Sequence, residues 1–194
     1  MEIDLKEKTP DIRYLNDIKE VLFDQEWAKT APNYELYYMY RGLQEKDNLR
    51  YDITVIPPRM LGEEFTKTKG HYHVENHGEI YIVLEGEAFF LMQKEENGKI
   101  VDVYCVKGKK GDYISIPAQY GHITINISSQ ELKMANWISK DCKPNYKTIE
   151  DKKGACYYYI KSGWVKNKNY EDVPELRFEE PEKTMPSLNF LTLK

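Results

Sequence analysis

Three of the four histidines in this chain lie in one short stretch, residues 68–86, which reads TKGHYHVENHGEIYIVLEG. On a β-strand successive side chains alternate between the two faces, so His71 and His73 are expected to point the same way. Glu79 has the same parity, and a turn around Gly78 would return it alongside the two histidines. This spacing would place two imidazoles and a carboxylate together.

The fourth histidine, His122, stands in GDYISIPAQYGHITIN, residues 111–126. An antiparallel barrel would bring it to the same interior as the first two histidines and Glu79. Three neutral imidazoles and one carboxylate suit a divalent transition metal, with positions left open for water or substrate. The sequence therefore predicts a metal centre.

An ordinary surface site is the alternative, because a histidine pair with one intervening residue also occurs on exposed strands. Glu79 would then be a solvated strand residue, while Glu75 and His77 fit a loop nearer to solvent in either case. Two features favour the metal centre. First, glycines and prolines stand at definite spacings in the sequence from Glu79 and His122. Second, burying a histidine pair costs free energy unless a ligand binds the two rings.

Short strand-like segments dominate the chain after residue 33. They are rich in β-branched and aromatic residues, and Gly, Pro, Asn or charged turns separate them. The segment EENGK, Glu95–Lys99, has the Asn-Gly pair of a tight hairpin. Repeated strands with no helices between them predict an all-β fold, an antiparallel sandwich or barrel.

The two ends of the chain differ from this central part. Residues 11–30 are predicted to form a helix followed by a loop, because Ile12, Leu15 and Ile18 recur at helical spacing. The tail from about Asn167 is charged and contains prolines, so it is expected to be irregular. Its apolar end, LNFLTL, offers a segment that could dock on the domain or on a partner subunit.

Composition excludes some classes of function. The net charge of −4 gives no indication of a nucleic-acid partner. No apolar run approaches the roughly 18 residues of a membrane span, and the first residues lack the pattern of a secretory signal. Three cysteines without close pairing are expected to be thiols in a reducing compartment. A cytoplasmic protein is the resulting expectation.

The two histidine-bearing segments resemble the two motifs of the cupin superfamily. The first reads H-x-H, a gap, E, six residues, G; the second reads G, five residues, P, then H and, three residues on, N. Within that superfamily, TKGHYH followed by EIYIVLEG resembles the cupin-type glucose-6-phosphate isomerases. YELYYM, ITVIPP and YGHITIN extend the likeness over most of the chain. Two departures are a five-residue gap between His73 and Glu79 and the displaced Gly121.

The resemblance implies a single cupin barrel, a double-stranded β-helix or jelly roll, with an N-terminal helical segment and an irregular C-terminal tail. The implied boundaries are 1–33 for the N-terminal helix and arm, 34–166 for the barrel, and 167–194 for a tail that packs on the barrel or on a partner subunit. A homodimer is also implied.

The resemblance further implies roles for individual residues. The metal ligands would be His71, His73, Glu79 and His122, and the catalytic residues would be Glu79, His122 and Tyr81. The substrate and its phosphate would be bound by Thr54, Thr68, Lys69, Gly70, Tyr34 and Tyr146. Pro144 stands where the family often has a histidine, so any role of that histidine is missing or supplied otherwise.

The implied reaction is the interconversion of glucose 6-phosphate and fructose 6-phosphate, a step of glycolysis and gluconeogenesis. One divalent metal per subunit would polarise the reacting oxygens; Fe(II) is expected, and Mn(II), Ni(II) or Zn(II) fit the same ligands. Glu79 could ligate the metal, abstract a proton or do both, and a direct hydride shift would need no base. The alternatives are a metal-dependent oxygenase, another cupin sugar-phosphate isomerase or epimerase, and a non-catalytic sugar-binding cupin.

Overall fold

The computed structural model describes residues 3–191, and strands dominate this part of the chain. The strands are β1 Asp11–Tyr14, β2 Glu35–Lys46, β3 Leu49–Ile56, β4 Met60–Leu61, β5 Glu64–Phe65, β6 Tyr72–His73, β7 Glu79–Glu85, β8 Glu87–Glu96, β9 Lys99–Lys109, β10 Tyr113–Ile116, β11 Tyr120–Asn126, β12 Leu132–Ser139, β13 Pro144–Asn145, β14 Tyr157–Ile160, β15 Gly163–Lys166 and β16 Arg177–Glu179. Two α-helices, α1 Gln25–Thr30 and α2 Lys147–Asp151, and three 3₁₀ turns, Leu15–Asp17, Lys19–Val21 and Leu188–Leu191, complete this set. None of the helices within residues 3–191 is long and apolar enough to cross a bilayer.

Two larger sheets enclose the main core. One has the strand order β1-β2-β3-β12-β7-β10, and the other has the order β11-β8-β9-β16. Phe90 and Met92 of the second sheet pack with Val83 and Met134 of the first in one buried apolar cluster. Burial of such side chains from both sheets supplies the main driving force for folding. The predicted all-β jelly roll is confirmed.

The hairpin between β8 and β9 is formed as the sequence predicts. Asn97 and Gly98 have φ angles of +53° and +81°, the left-handed conformation that a two-residue hairpin turn requires. The strands on either side pair antiparallel, from Glu96 opposite Lys99 to Glu87 opposite Lys109. This long hairpin is the centre of the second sheet.

The N-terminal segment differs from the helix that was expected over residues 11–30. Its first four residues form β1, which pairs antiparallel with β2, Arg13 lying opposite Tyr37. Only Gln25–Thr30 is α-helical, and the Asp24 side chain caps it by accepting a 2.9 Å hydrogen bond from the Trp27 amide. The prediction of a helix from Asp11 is wrong because the exposed edge of β2 offers β1 a partner, and this long-range pairing overrides helical spacing.

The C-terminal tail is less irregular than its composition suggests. Strand β16 pairs in parallel with β9, and Glu182 forms two backbone hydrogen bonds of 2.9 Å with Tyr113 of β10. The 3₁₀ turn at 188–191 buries Leu191 in a small apolar cluster with Leu49 and Ile80. The last two residues of the predicted docking segment LNFLTL, 192 and 193, lie outside the described part of the chain.

Candidate metal centre

The four predicted ligands meet at one point. His71, His73, Glu79 and His122 each offer a donor atom, and these atoms all lie within 4.8 Å of one another. Backbone pairing brings them together: the His71 and His122 amides each donate to the carbonyl of the other residue, at 3.3 and 3.0 Å. Two segments that are distant in sequence are thereby fixed side by side.

The three imidazoles are packed closely. The His71 ring centroid lies 4.6 Å from that of His122 and 5.2 Å from that of His73. Glu79 Oε2 faces the same space, 3.2 Å from His122 Nε2 and 3.5 Å from His73 Nε2. One carboxylate therefore approaches two imidazole nitrogens at the centre of the cluster.

Neighbouring groups fix two of the ligands. His73 Nδ1 lies 2.8 Å from the carbonyl oxygen of His77, so the Nδ1–H group donates there and Nε2 is turned inward. Asn136 Nδ2 donates a 2.6 Å hydrogen bond to Glu79 Oε1, which leaves Oε2 turned toward the histidines. Such outer contacts are typical of metal sites, where they set the tautomer and the direction of each ligand.

One further observation indicates that this donor set fits a divalent cation. His73 Nε2 and Glu79 Oε2 are buried, and the structure gives neither atom a hydrogen-bond partner. Buried polar atoms without partners are rare because their desolvation costs free energy. A cation bound between these atoms would satisfy both, which is the reason to regard the cluster as a metal centre.

Burial and mutual charge shift the pKa values of His71, His73 and Glu79. Burial lowers the pKa of His71 well below its ordinary value, and the adjacent His122 and His73 lower it further, so this ring is neutral. Burial also lowers the pKa of His73, but the neighbouring Cys142 thiol and Glu79 carboxylate outweigh burial and raise the pKa to about 10, so a bound cation would take the place of the Nε2 proton. Burial raises the pKa of Glu79, yet His122 and His73 bring it below its ordinary value. The carboxylate is thus ionised and ready to bind a cation.

The cavity beside this cluster is built by inward residues on three adjacent strands. Asp52 on β3 lies opposite Asn136 on β12, which in turn lies opposite Tyr81 on β7. One step along the same strands, Ile138 stands opposite Glu79. The residues that line the cavity are Arg13, Tyr37, Met39, Arg41, Arg50, Asp52, Thr54, Thr68, Lys69, Gly70, His71, Glu79, Tyr81, His122, Met134, Asn136, Ile138, Cys142, Pro144 and Tyr146.

The residues predicted to bind phosphate lie around this cavity. They differ in how free their donor groups are to bind a ligand. Thr54 is nearly buried on its wall. The Thr68 hydroxyl accepts a 3.1 Å hydrogen bond from the Thr124 amide and keeps its own proton for another acceptor. Gly70 has a φ of +81°, and a Cβ there would lie only 2.3 Å from the Ile123 side chain. Only glycine fits at that close approach.

Lys69 is placed less favourably than expected for a phosphate ligand. Its ammonium lies 2.7 Å from Glu20 Oε1 and 2.5 Å from Glu150 Oε1. Burial lowers the pKa of Lys69, but hydrogen bonds with Glu150 and Glu20 raise it above its ordinary value overall. The lysine is therefore charged and already paired with two carboxylates.

The three predicted tyrosines take different positions. The Tyr81 hydroxyl lies 3.4 Å from His122 Nε2, and burial followed by the charge of Glu79 raises its pKa, so it is a neutral phenol. Tyr146 lines the cavity, with its ring centroid 5.6 Å from that of His71. Tyr34 does not line the cavity: it precedes β2, and its ring lies under the guanidinium of Arg59, 4.8 Å away.

Several cavity residues were not predicted from the sequence, and those that bear on the chemistry include Arg13, Tyr37 and Asn136. Asn136 left a signal, because it stands at the same inward parity as the apolar Met134 and Ile138 in LKMANWIS. A polar residue between two buried apolar ones on one face is expected to have a specific partner. Arg13 left none, since its position depends on the unexpected pairing of β1 with β2, whereas the inward position of Tyr37 follows from alternation along β2.

Pro144 lies directly opposite His73 in the short pair of β13 and β6 and lines the cavity. A histidine at this position would have stood next to the metal ligands. Proline offers no proton and no lone pair, so it contributes only to the shape of the wall. Cys142, two residues earlier, is buried, lines the cavity and interacts electrostatically with His73.

Comparisons with known proteins agree with this geometry. Residues 12–175 match the family model described as Glucose-6-phosphate isomerase (GPI), which is most of the chain and includes all four candidate ligands. The chain belongs to the glucose-6-phosphate isomerase family. Among curated members, the Glucose-6-phosphate isomerase of Thermococcus litoralis is 30% identical over 148 residues, which are 73% of this chain and 75% of that protein.

Another curated relative and one solved structure are similar to this chain over most of its length. The Pyrococcus horikoshii protein of that name is 28% identical over 73% of this chain and 76% of its own length. Among solved structures, a predicted oxalate decarboxylase from Thermotoga maritima aligns with a TM-score of 0.43 and 20% identity, covering 71% of this chain and 96% of that one. The residues after 175, including β16 and the 3₁₀ turn at 188–191, lie beyond the family match.

Proposed function

We propose that this chain is a metal-dependent aldose–ketose isomerase that interconverts glucose 6-phosphate and fructose 6-phosphate. One observation carries the proposal: a cluster of three histidines and one glutamate, with unpartnered atoms turned inward, opens into a polar cavity in a chain of the glucose-6-phosphate isomerase family. The reaction would serve glycolysis or gluconeogenesis.

The cluster would hold one divalent cation per subunit through His71, His73, Glu79 and His122. We propose Fe(II) as the native ion, and Mn(II), Ni(II) or Zn(II) as ions that the same donors accept. When bound, such a cation polarises the reacting carbonyl and hydroxyl oxygens of the open-chain sugar and stabilises the negative charge that develops on them.

The side chains around the reacting carbons would mainly orient the substrate and would not themselves transfer its protons. Glu79 is held by Asn136 through Oε1 and faces His73 and His122 through Oε2, so its carboxylate is committed to the ligand cluster. A carboxylate so committed is a poor general base. The neutral Tyr81 hydroxyl beside His122 is suited to donate a hydrogen bond to a sugar oxygen.

The far end of the cavity would receive the phosphate. The hydroxyls of Thr54 and Thr68 and the backbone around Gly70 are suitable neutral donors. Tyr146 would line the sugar between the two ends, since its ring lies near His71 on one side and near the Lys69 ammonium, 5.4 Å from the ring centroid, on the other. Tyr34 would act through the cavity wall and not by contact with the substrate.

The chain would act as a cytoplasmic homodimer. Ile53, Val55 and Ala135 form an apolar cluster of their own, apart from the main core, and Tyr38 and Tyr40 pack against it. Those three residues are already buried within one chain, so the partly exposed Tyr38 and Tyr40 that cover them would face the second copy. The three cysteines are free and buried, as expected in a reducing compartment. The proposed boundaries remain 1–33, 34–166 and 167–194.

Product analysis tests this proposal. The purified protein, loaded with Fe(II), is incubated separately with glucose 6-phosphate, mannose 6-phosphate and unphosphorylated glucose, and products are identified by NMR spectroscopy. We expect fructose 6-phosphate to form fastest from glucose 6-phosphate. Stoichiometric metal binding without any fructose 6-phosphate would contradict the proposal and favour another sugar phosphate or a sugar-binding role.

A further inference from the structure

Four cationic side chains line the cavity within the described part of the chain, and they differ in what balances their charge. A hexose phosphate carries close to two negative charges at neutral pH, because the second phosphate pKa is near 6. Its binding therefore favours a cation that is not already paired. The partners of each cavity cation decide which one is free to bind the phosphate.

Arg41 and Arg50 are balanced by two aspartates. Arg50 Nε lies 2.9 Å from Asp52 Oδ2, and Arg41 Nη1 lies 3.6 Å from the same oxygen. Arg41 Nε also contacts Asp11 Oδ2 at 2.9 Å. Two guanidinium groups and two carboxylates leave no net charge in this group, so it has little attraction for an anion.

The positive charge of Lys69 is opposed by two negative charges, since Glu20 and Glu150 both contact its ammonium. The three side chains together carry a net charge of −1. A phosphate that approached this ammonium would meet two carboxylates at short range, where like charges repel. Glu20 belongs to the 3₁₀ turn at 19–21 and Glu150 to α2, so the lysine joins two segments that flank the cavity.

Arg13 has no carboxylate within 4.0 Å among the described residues, although it is half-buried on the cavity wall. Its Nη2 donates a 3.4 Å hydrogen bond to the Tyr146 hydroxyl, and Tyr37 is its opposite residue across the strand pair. Its Nε is buried and lacks a hydrogen-bond partner. The Asp17 carboxylate acts on Arg13 only through its charge, because it accepts a 2.8 Å hydrogen bond from the Tyr14 amide and none from Arg13.

We propose that Arg13 supplies the positive charge that binds the substrate phosphate, and that Lys69 braces the wall of the cavity. The inference deepens the proposed isomerase function and rests on it. A guanidinium presents a planar set of donors that matches phosphate oxygens, and charge-assisted pairs of this geometry are strong. Bound phosphate would satisfy the orphaned Nε, while the Tyr146 hydroxyl, which accepts a hydrogen bond from Nη2, holds the guanidinium in place.

Steady-state kinetics of Arg13→Met tests the proposal. We expect the KM for glucose 6-phosphate to rise about 10- to 100-fold, the loss expected for a hydrogen bond to a charged group, while kcat changes by less than a factor of about 3. The metal content and circular dichroism spectrum should be unchanged. Arg59→Met is the matched control, because Arg59 is exposed and stacks on Tyr34 outside the cavity.

The variant Lys69→Met distinguishes the role of Lys69 from that of Arg13. We expect a lower Tm, since Glu20 and Glu150 would repel each other without their shared ammonium, and a smaller rise in KM than Arg13→Met causes. The proposal is overturned if Arg13→Met leaves KM unchanged and Lys69→Met raises it about 10-fold or more.

Chemical modification of the wild-type protein gives a readout that needs neither turnover nor a folded variant. An arginine-specific dicarbonyl reagent is applied with and without inorganic phosphate, and the modified peptides are quantified by mass spectrometry. We expect phosphate to slow modification of Arg13 and to leave Arg59 and Arg177, both exposed, unaffected. Equal modification of Arg13 with and without phosphate overturns the inference. Absence of isomerase activity combined with protection of Arg13 would reject the proposed reaction and keep the anion site.

Discussion

Asn136 and Glu79 lie on adjacent strands and are joined by a 2.6 Å hydrogen bond from the Asn136 amide to Glu79 Oε1. Both side chains are almost fully buried. The bond satisfies one carboxylate oxygen and turns the other, Oε2, toward His73 and His122. Asn136 therefore decides which oxygen of Glu79 is available to a cation, although it contacts none of the imidazoles.

Asn136→Ala should weaken metal binding about 10- to 100-fold, because loss of an outer-shell hydrogen bond frees the ligating carboxylate to rotate. Affinity is measured by competition with a coloured chelator at fixed pH. Asn76→Ala is the matched control, since Asn76 is exposed in the neighbouring loop and should leave affinity unchanged. Equal affinity for Asn136→Ala and wild type would mean that Glu79 is oriented by other groups.

Glu79→Gln should lower both metal content and kcat, the latter by about 100-fold or more, because the cluster loses its carboxylate and its negative charge. His77→Ala should bind metal normally, since the group of His77 that contacts His73 is the backbone carbonyl, which alanine keeps. Metal per chain is measured by mass spectrometry after gel filtration. Metal loss in His77→Ala with retention in Glu79→Gln would refute the ligand assignment.

Isomerisation should proceed mainly by transfer of hydride from C2 to C1, with the C2 hydroxyl proton passing to the C1 oxygen. The two carboxylates that line the cavity in residues 3–191 are both committed, Glu79 to the cluster and Asp52 to Arg50 and the Gly42 amide. With glucose 6-phosphate deuterated at C2, most of the label should appear at C1 of fructose 6-phosphate by NMR. Label washed into water in the first turnover would instead require a general base.

The contact between Arg177 of the tail and Asp102 should make stability depend on pH. Arg177 is the largest influence that lowers the Asp102 pKa below its ordinary value of 3.8. A carboxyl whose folded-state pKa is lowered stabilises the fold above its ordinary pKa, and that contribution disappears as the pH falls through the lower, folded-state value.

Arg177→Met should therefore cost less than about 1 kcal/mol at pH 7, because the pair is partly exposed and screened by solvent. The free-energy difference from wild type should shrink as the pH falls below 3.8, the ordinary pKa of the Asp102 carboxyl, as measured by urea unfolding at several pH values. Lys168→Met, a change in an exposed lysine of the same tail, corrects for the loss of one positive charge. A difference that stays constant from pH 7 to pH 2 would contradict the assignment.

The ligand cluster could be predicted from sequence because strand parity and short turns are local properties. His71 and His73 share a face by alternation, and Asn97 and Gly98 specify the hairpin that follows. The spacing of both motifs then indicated the fold and, with it, the return of His122 to the same interior. These inferences needed no knowledge of which distant strands pair.

The residues at the end of the cavity away from the ligand cluster are placed by contacts between distant segments, which the local sequence pattern does not encode. Arg13 enters the wall only because β1 adds to the edge of β2, where helical spacing had predicted a helix. Lys69 was expected to bind the phosphate, but its partners, Glu20 and Glu150, come from segments distant in sequence. Tyr34 was expected at the cavity, whereas the alternation of β2 turns Tyr37 inward instead.

The central claim is that a single bound cation makes this chain an isomerase, and a metal titration tests it most directly. The protein is stripped with EDTA, shown to be metal-free, and titrated with Fe(II) under anaerobic conditions while fructose 6-phosphate formation is followed. We predict no activity without metal and a linear recovery that stops at one ion per chain. Full activity in the stripped protein, or recovery unrelated to binding at His71, His73, Glu79 and His122, would contradict the account.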